Sequence, residues 1–200
     1  MSIAEKLATI AETELKVYEA GVQAELARFW DAYQEGGERT NYNYLFSYSG
    51  WTDENFKPQY PITCKGGSTN ATAVFNYCTK ITEIPVPIIV EGIPATQLFY
   101  RATQLVKVKK LVLNGVTSFT NAFTACSKLV TLPIEGSIDV NFNISPAPDL
   151  DADTRASIVA ALKDLTGQTM QTLTVHATVG ANLTDEQKAT ITAKNWELVY

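Results

Sequence analysis

Between residues 72 and 133 the apolar positions keep a rhythm of threes. In TNAFTACSKLVTLP (residues 120–133), Phe123, Cys126, Leu129 and Leu132 fall at every third position. An amphipathic helix mixes steps of three and four, and a half-buried strand alternates by two. The rhythm recurs when the chain is slid against itself: TAVFNYCTKITEIP (72–85), TQLFYRATQLVKVK (96–109) and TNAFTACSKLVTLP share one register. Thr72, Thr96 and Thr120 align, then Phe75, Phe99 and Phe123, then Cys78, Ala102 and Cys126, then Ile81, Leu105 and Leu129, then Ile84, Val108 and Leu132. Evenly spaced copies of this kind imply repeat units that bury their apolar sides only by stacking on their neighbours. Each unit is expected to hold a short helical or turn segment, opened by a capping Thr, and then an extended segment. PIIV (87–90) and KLVLNG (110–115) supply the extended parts as parallel strands, ended by Gly92 and Gly115.

The flanks follow other patterns. Ile3, Leu7, Ile10 and Val17 form a heptad-like stripe interrupted by Glu14. A second stripe of Leu15, Tyr18, Val22, Leu26, Phe29 and Tyr33 takes over, as at a stutter in a coiled coil. Residues 2 to about 35 therefore read as one long helix ended by Gly36 and Gly37, making 1–37 an oligomerisation segment, and Ile3, Leu7, Ile10, Val17, Val22 and Leu26 are its candidate oligomerisation residues. Residues 38–70 are aromatic and irregular, with Tyr42, Tyr44, Phe46, Tyr48, Trp51, Phe56 and Tyr60 close together. They read as a cap on the open end of the repeats, with a strand over Tyr42–Phe46; Tyr42, Tyr44 and Trp51 are candidate ligand-stacking residues. The three repeats fill 71–145, and GSIDVNFNI (136–144) alternates as a further strand. Residues 146–200 read as two closing helix–strand repeats: a helix from Asp153 to Leu165 stopped by Gly167, the strand TLTV (172–175), a helix Asp185–Lys194 opened by a Thr184/Gln187 capping box, and the strand WELVY. The fold class is α/β, with a parallel sheet.

Composition narrows the function. The net charge is −5 with a pI near 4.9, and the one dense basic run, KVKK (107–110), is short, so a nucleic-acid partner is not expected. No stretch approaches the roughly 20 apolar residues of a membrane span, and the charged N-terminus has no apolar signal core, which points to synthesis in the cytoplasm without membrane insertion. Three cysteines, Cys64, Cys78 and Cys126, show no metal-ligand spacing and read as reduced core thiols.

Reactive constellations are sparse. His176 is the sole histidine and has no nucleophile beside it in sequence. Cys126 shares its slot with Cys78 and Ala102, which fits a small core residue better than a nucleophile. Asp149, Asp151 and Asp153 alternate as in a calcium loop, but Thr154 stands where glycine is needed and Ala160 where glutamate is needed; helix capping fits them better. KGGSTNAT (65–72) lacks phosphate-loop spacing. The expectation is no catalytic residue, no cofactor and no metal. Val112 and Asn114, on the open face of the sheet, are candidate ligand-surface residues.

The pattern F-x-x-C/A-x-x-L/I-x-x-I/V/L-P, with SKLVTLPI, resembles the BspA-like leucine-rich repeats of bacterial and phage proteins. The segments IAEKLATIAETELKVYEAG and IVAALKDLTGQTMQTLTVHATVGANLTDEQKATITAKNWELVY are similar to the ends of such chains in phages and prophages of gut and Gram-positive bacteria. The resemblance implies a short leucine-rich-repeat solenoid and a virion- or tail-associated role. The functional expectation is thus a non-enzymatic structural or binding protein of a bacteriophage particle. Its partners would be itself, as a trimer or larger symmetric ring, and other virion proteins or a host surface ligand. Rival readings are a bacterial cell-surface adhesin and a glycan-binding module of a host-recognition apparatus.

Overall fold

A computed structural model of the chain describes residues 46–47, 50–58, 60–65 and 73–200. The expected N-terminal helix, with Ile3, Leu7, Ile10, Val17, Val22 and Leu26, lies outside the described residues, as do Tyr42, Tyr44 and Thr72. The described residues belong to one unit, Arg39–Tyr200. They form a mixed α/β structure with two parallel sheets, and neither sheet closes into a barrel.

The first sheet has the order β1-β2-β3-β4: β1 (Ile62–Lys65), β2 (Glu83–Glu91), β3 (Lys107–Asn114) and β4 (Ile134–Gly136). Ile88 lies beside Leu111, and Leu111 beside Ile134. Alternation puts Ile84, Val86, Ile88 and Val90 of β2 on the buried side, and Val108, Leu111 and Leu113 of β3 after one slip between Val108 and Leu111. The β2–β3 register shifts between Ile84 and Pro87; Pro85 and Pro87 lie there and have no N–H to offer a ladder. Gly92 and Gly115, both at positive φ, end β2 and β3.

The wall opposite the sheet corrects one expectation. Residues 73–77, 96–101 and 120–125 are successive turns, and none of these segments contains a helix for a Thr to cap. Ala73 and Tyr77, Gln97 and Arg101, and Asn121 and Ala125 all adopt positive φ. The reason is where the N–H groups go. Ala73 N donates to Thr96 O (2.9 Å), Phe75 N to Leu98 O (2.8 Å) and Tyr77 N to Tyr100 O (2.9 Å); Gln97, Phe99 and Arg101 donate in the same way to Thr120, Ala122 and Thr124. A helix would satisfy these donors internally. Here the next turn along the chain accepts them, so the backbone requirement is met between units instead.

Side chains repeat the same arrangement. Phe75, Phe99 and Phe123 stack at 5.7 and 5.6 Å between ring centroids. Together with Cys78, Ala102, Cys126, Ile81, Leu105 and Leu129 they are at most 2% exposed. The column extends at both ends. Phe46 stacks on Phe75 at 5.1 Å, and Phe142 meets Phe123 edge-on at 5.4 Å. Phe46 N donates to Val74 O (2.8 Å), just as Phe75 N does one turn later. The Cys78 thiol bonds Phe46 O, as the Cys126 thiol bonds Phe99 O, each at 3.0 Å. The aromatic segment therefore contributes a turn and a strand, β1, of the same kind as the repeats. The strand expected over Tyr42–Phe46 is not seen at its described end, because Phe46 and Ser47 lie in a turn.

The far end of the first sheet is closed by side chains. Val108 N and Leu111 N of β3 donate to Thr131 O and Pro133 O of the following unit, each at 2.9 Å. One unit later, hydroxyls of α1 (Ala152–Ala161) take the place of a neighbouring strand. Leu132 N donates to Thr154 Oγ1 (2.9 Å) and Ile134 N to Ser157 Oγ (3.0 Å). Thr154 is fully buried at this junction. Asp151 caps α1 by accepting from Thr154 N (2.7 Å) and also accepts from the Thr131 hydroxyl (2.7 Å).

The second sheet has the order β5-β6-β7: β5 (Phe142–Asn143), β6 (Gln171–Thr174) and β7 (Trp196–Val199). The single strand expected over 136–144 is divided between the two sheets, since Gly136 at φ +93° turns the chain after β4. α1 ends at Ala161 rather than Leu165, because Ile138 takes Ala161 O and offers its own carbonyl to Lys163 N. A short helix unforeseen in the sequence, α2 (Ala177–Ala181), follows His176, whose ring nitrogen caps it by accepting from Thr178 N. α3 (Asp185–Ala193) opens with the expected Thr184/Gln187 capping box. Lys194 Nζ then reaches back to the carbonyls of Val159, Ala160 and Leu162 at 3.1, 3.0 and 2.6 Å, a cation at the negative end of α1.

Candidate binding surfaces

Among the described residues, three of the exposed surfaces bear on binding. The first is the open face of the first sheet. Thr63, Ile89, Val112 and Glu135 form one row across it, with Glu91 and Asn114 in the next. Val112 is half-buried and Asn114 exposed, its amide donating to Glu91 at 3.2 Å. Glu83–Lys107 (2.8 Å) and Lys110–Glu135 (2.5 Å) neutralise one another across neighbouring strands. Exposed pairs of this kind contribute little to stability, but they leave the face with alternating charge around a short aliphatic row. KVKK is thus divided on this face, two of its lysines being paired to glutamates.

The second surface lies on the turns. The Arg101 guanidinium stands 5.1 Å from the Tyr77 ring centre and 5.5 Å from that of Tyr100. Its Nη1 donates to the Tyr77 hydroxyl at 2.8 Å. Trp51, singled out in the sequence with the tyrosines, instead packs edge-on against Phe46 (6.2 Å) and Phe56 (5.9 Å) at the start of the phenylalanine column.

The third is a groove of about 370 Å³ between the loop after β3 and the start of the second sheet. Thr117, Ser118 and Thr120 line one side, and Asn141, Asn143 and Gln171 the other. The sequence offers no local signal for it, since its two sides come from residues 117–121 and 140–171.

Several described groups that could react have structural surroundings. Burial pushes the thiols of Cys64 and Cys126 up to about 12, so both stay protonated near neutrality. His176 caps α2. Of the three alternating aspartates, Asp151 caps α1 while Asp149 and Asp153 are exposed. Among the described residues no cluster of three or more His, Cys, Asp or Glu side chains could hold a metal ion, and no helix is long and apolar enough to cross a membrane.

Three carboxylates tie segments together. For Asp53, Asp139 and Asp151 burial pushes the pKa upward, but hydrogen bonds outweigh it and hold each below its ordinary 3.8. The bonds come from Thr82 and Glu83 to Asp53, from Lys163 and Ser137 to Asp139, and from Thr131 and Thr154 to Asp151. A depressed carboxylate pKa contributes stability that is complete above the unfolded value and lost as pH falls through the folded one. The melting temperature is therefore expected to hold from neutrality to about pH 4.5 and to fall below about pH 4. Thermal melts across that range check this, and Asp151→Asn is expected to flatten the acid limb.

No family model matches the chain, and no match is found among curated proteins or solved structures.

Proposed function

We propose that the chain is a short leucine-rich-repeat solenoid of the BspA-like type, serving as a non-enzymatic structural or binding protein of a bacteriophage particle. The observation that supports the repeat reading is the column Phe46–Phe75–Phe99–Phe123, with its matching one-way hydrogen-bond ladder between turns. The particle assignment draws on the resemblance of the repeats and of both chain ends. In this reading residues 1–37 form a helix that joins protomers through Ile3, Leu7, Ile10, Val17, Val22 and Leu26. The cap, the repeats and the closing segment, 38–200, are then displayed to another virion protein or to a host ligand.

The mass in solution tests the assembly half of this reading. Full-length protein is expected to be a trimer or larger ring by light scattering, and protein lacking residues 1–37 a folded monomer. An oligomer that survives the truncation would overturn it. Recovery of the native chain with purified virions supports the particle assignment; recovery with the bacterial cell wall would favour an adhesin instead.

A further inference from the structure

We propose that the groove between the loop after β3 and the second sheet is a binding site for a neutral carbohydrate. The proposal rests on the binding-module reading above and names the ligand class and the site.

The argument turns on three carboxamides. Asn141 Oδ1 accepts from Thr172 N at 2.8 Å, and Gln171 Oε1 accepts from Asn141 N at 2.9 Å. Asn143 Oδ1 accepts from Ser145 N at 3.0 Å and from its hydroxyl at 2.8 Å. Each oxygen is thus committed to the protein, and this fixes which way each amide points. The three NH₂ groups have no partner among the described residues, and all three side chains line one groove. Donors oriented by oxygens that are bonded to the protein call for a ligand rich in acceptor oxygens.

The opposite side adds hydroxyls. Ser118 Oγ and Thr120 Oγ1 are 2.9 Å apart, and either can be the donor. Hydroxyls that rotate to give or accept suit a partner that does both, as sugar hydroxyls do. Phe119 and Val140 add apolar surface to the lining, and Phe119 is held by an edge-on contact with Phe142 at 5.0 Å. Among the described residues no Asp, Glu, Lys, Arg or His side chain lines the groove. An anionic ligand would find no countercharge there, and a net charge of −5 would repel it. The volume of about 370 Å³ falls within the roughly 300–1,000 Å³ usual for small-molecule sites. Such sites are usually mostly apolar, whereas this one is lined mainly by uncharged polar side chains, which matches a polyol.

Isosteric changes separate recognition from folding. Asn141→Asp and Gln171→Glu keep the oxygen that holds the backbone and replace the outward donor with an acceptor. Thr117→Trp leaves the amides in place and fills the groove. Full-length protein is titrated with neutral oligosaccharides of glucose, galactose, mannose and N-acetylglucosamine, and with sulfated and sialylated ones, while saturation-transfer NMR monitors binding. The expected result is binding of at least one neutral oligosaccharide, weakened tenfold or more by each of the three variants at unchanged melting temperature. The proposal is overturned if no neutral sugar binds, if the variants bind as well as the wild type, or if only the sulfated or sialylated sugars bind. Wild-type protein that binds no neutral glycan yet still forms a trimer or larger ring would sink this site and leave the assembly reading standing.

Discussion

Phe99→Ala is expected to destabilise the protein by about 3–5 kcal/mol, the range for truncating a fully buried aromatic. Phe99 is 0% exposed and lies between two rings, with Phe75 at 5.7 Å and Phe123 at 5.6 Å. The space is hard to refill, because the backbone on that wall is held on both sides by bonds to adjacent turns. For a chain of this size the loss corresponds to roughly 6–20 °C in melting temperature. Phe99→Leu retains most of the volume and is expected to cost less than half as much. Urea melts of both variants check the prediction. Equal stability of Phe99→Ala and wild type would mean that the column does not carry the core.

Gly136→Ala is expected to be the next most damaging change, through the backbone rather than the core. Gly136 ends β4 at φ +93°, and an added Cβ would lie 2.1 Å from Leu113 O and 2.9 Å from its carbonyl carbon. That same oxygen accepts Ser137 N at 2.9 Å. Relieving the collision must loosen this bond and lift β4 from β3. Left-handed strain together with one lost buried hydrogen bond gives about 2–4 kcal/mol. Gly92→Ala is the control. Its φ of +67° brings similar strain, but no described atom lies within 4 Å of the added carbon, so about 1–2 kcal/mol is expected. Near-equal melting temperatures for the two variants would contradict the collision.

The strands and the inward positions are legible because one fixed offset, from Thr72 to Thr96 to Thr120, repeats them. The slot shared by Cys78, Ala102 and Cys126 is legible for the same reason. Phe46 is not, although LFSY (45–48) matches VFNY (74–77). The interval from Phe46 to Phe75 is longer than that from Phe75 to Phe99, so a search at the fixed offset steps over it. The choice between short helix and turn is also out of reach. Both place a Phe and a small residue three apart on one side, and what decides between them is bonding to the next unit. Local sequence carries the first fact and not the second. Thr154 reads as an ordinary first-turn residue, and its role at the end of the sheet depends on Leu132, far back in the chain. The groove is more distant still, since Asn141 and Gln171 converge only through sheet pairing. The capping box at Thr184 and Gln187, by contrast, is a purely local device and reads directly from the sequence.

The central claim is that the units opened by Thr72, Thr96 and Thr120 are interchangeable layers of one stack, and removing a single layer tests it most directly. Deletion of residues 96–119 joins Ala95 to Thr120 and brings Thr120 O to the place where Thr96 O receives Ala73 N. Stacked repeats gain stability from each neighbour contact, so the shortened chain should be weaker but whole. The expected result is a cooperatively melting protein at lower temperature, with its sheet signal in circular dichroism retained and, in its crystal structure, Phe75 stacked on Phe123. An out-of-phase deletion of residues 96–107 should abolish folding. If the in-phase deletion unfolds the chain as completely as the out-of-phase one, the layers are not equivalent and the stack is not a repeat.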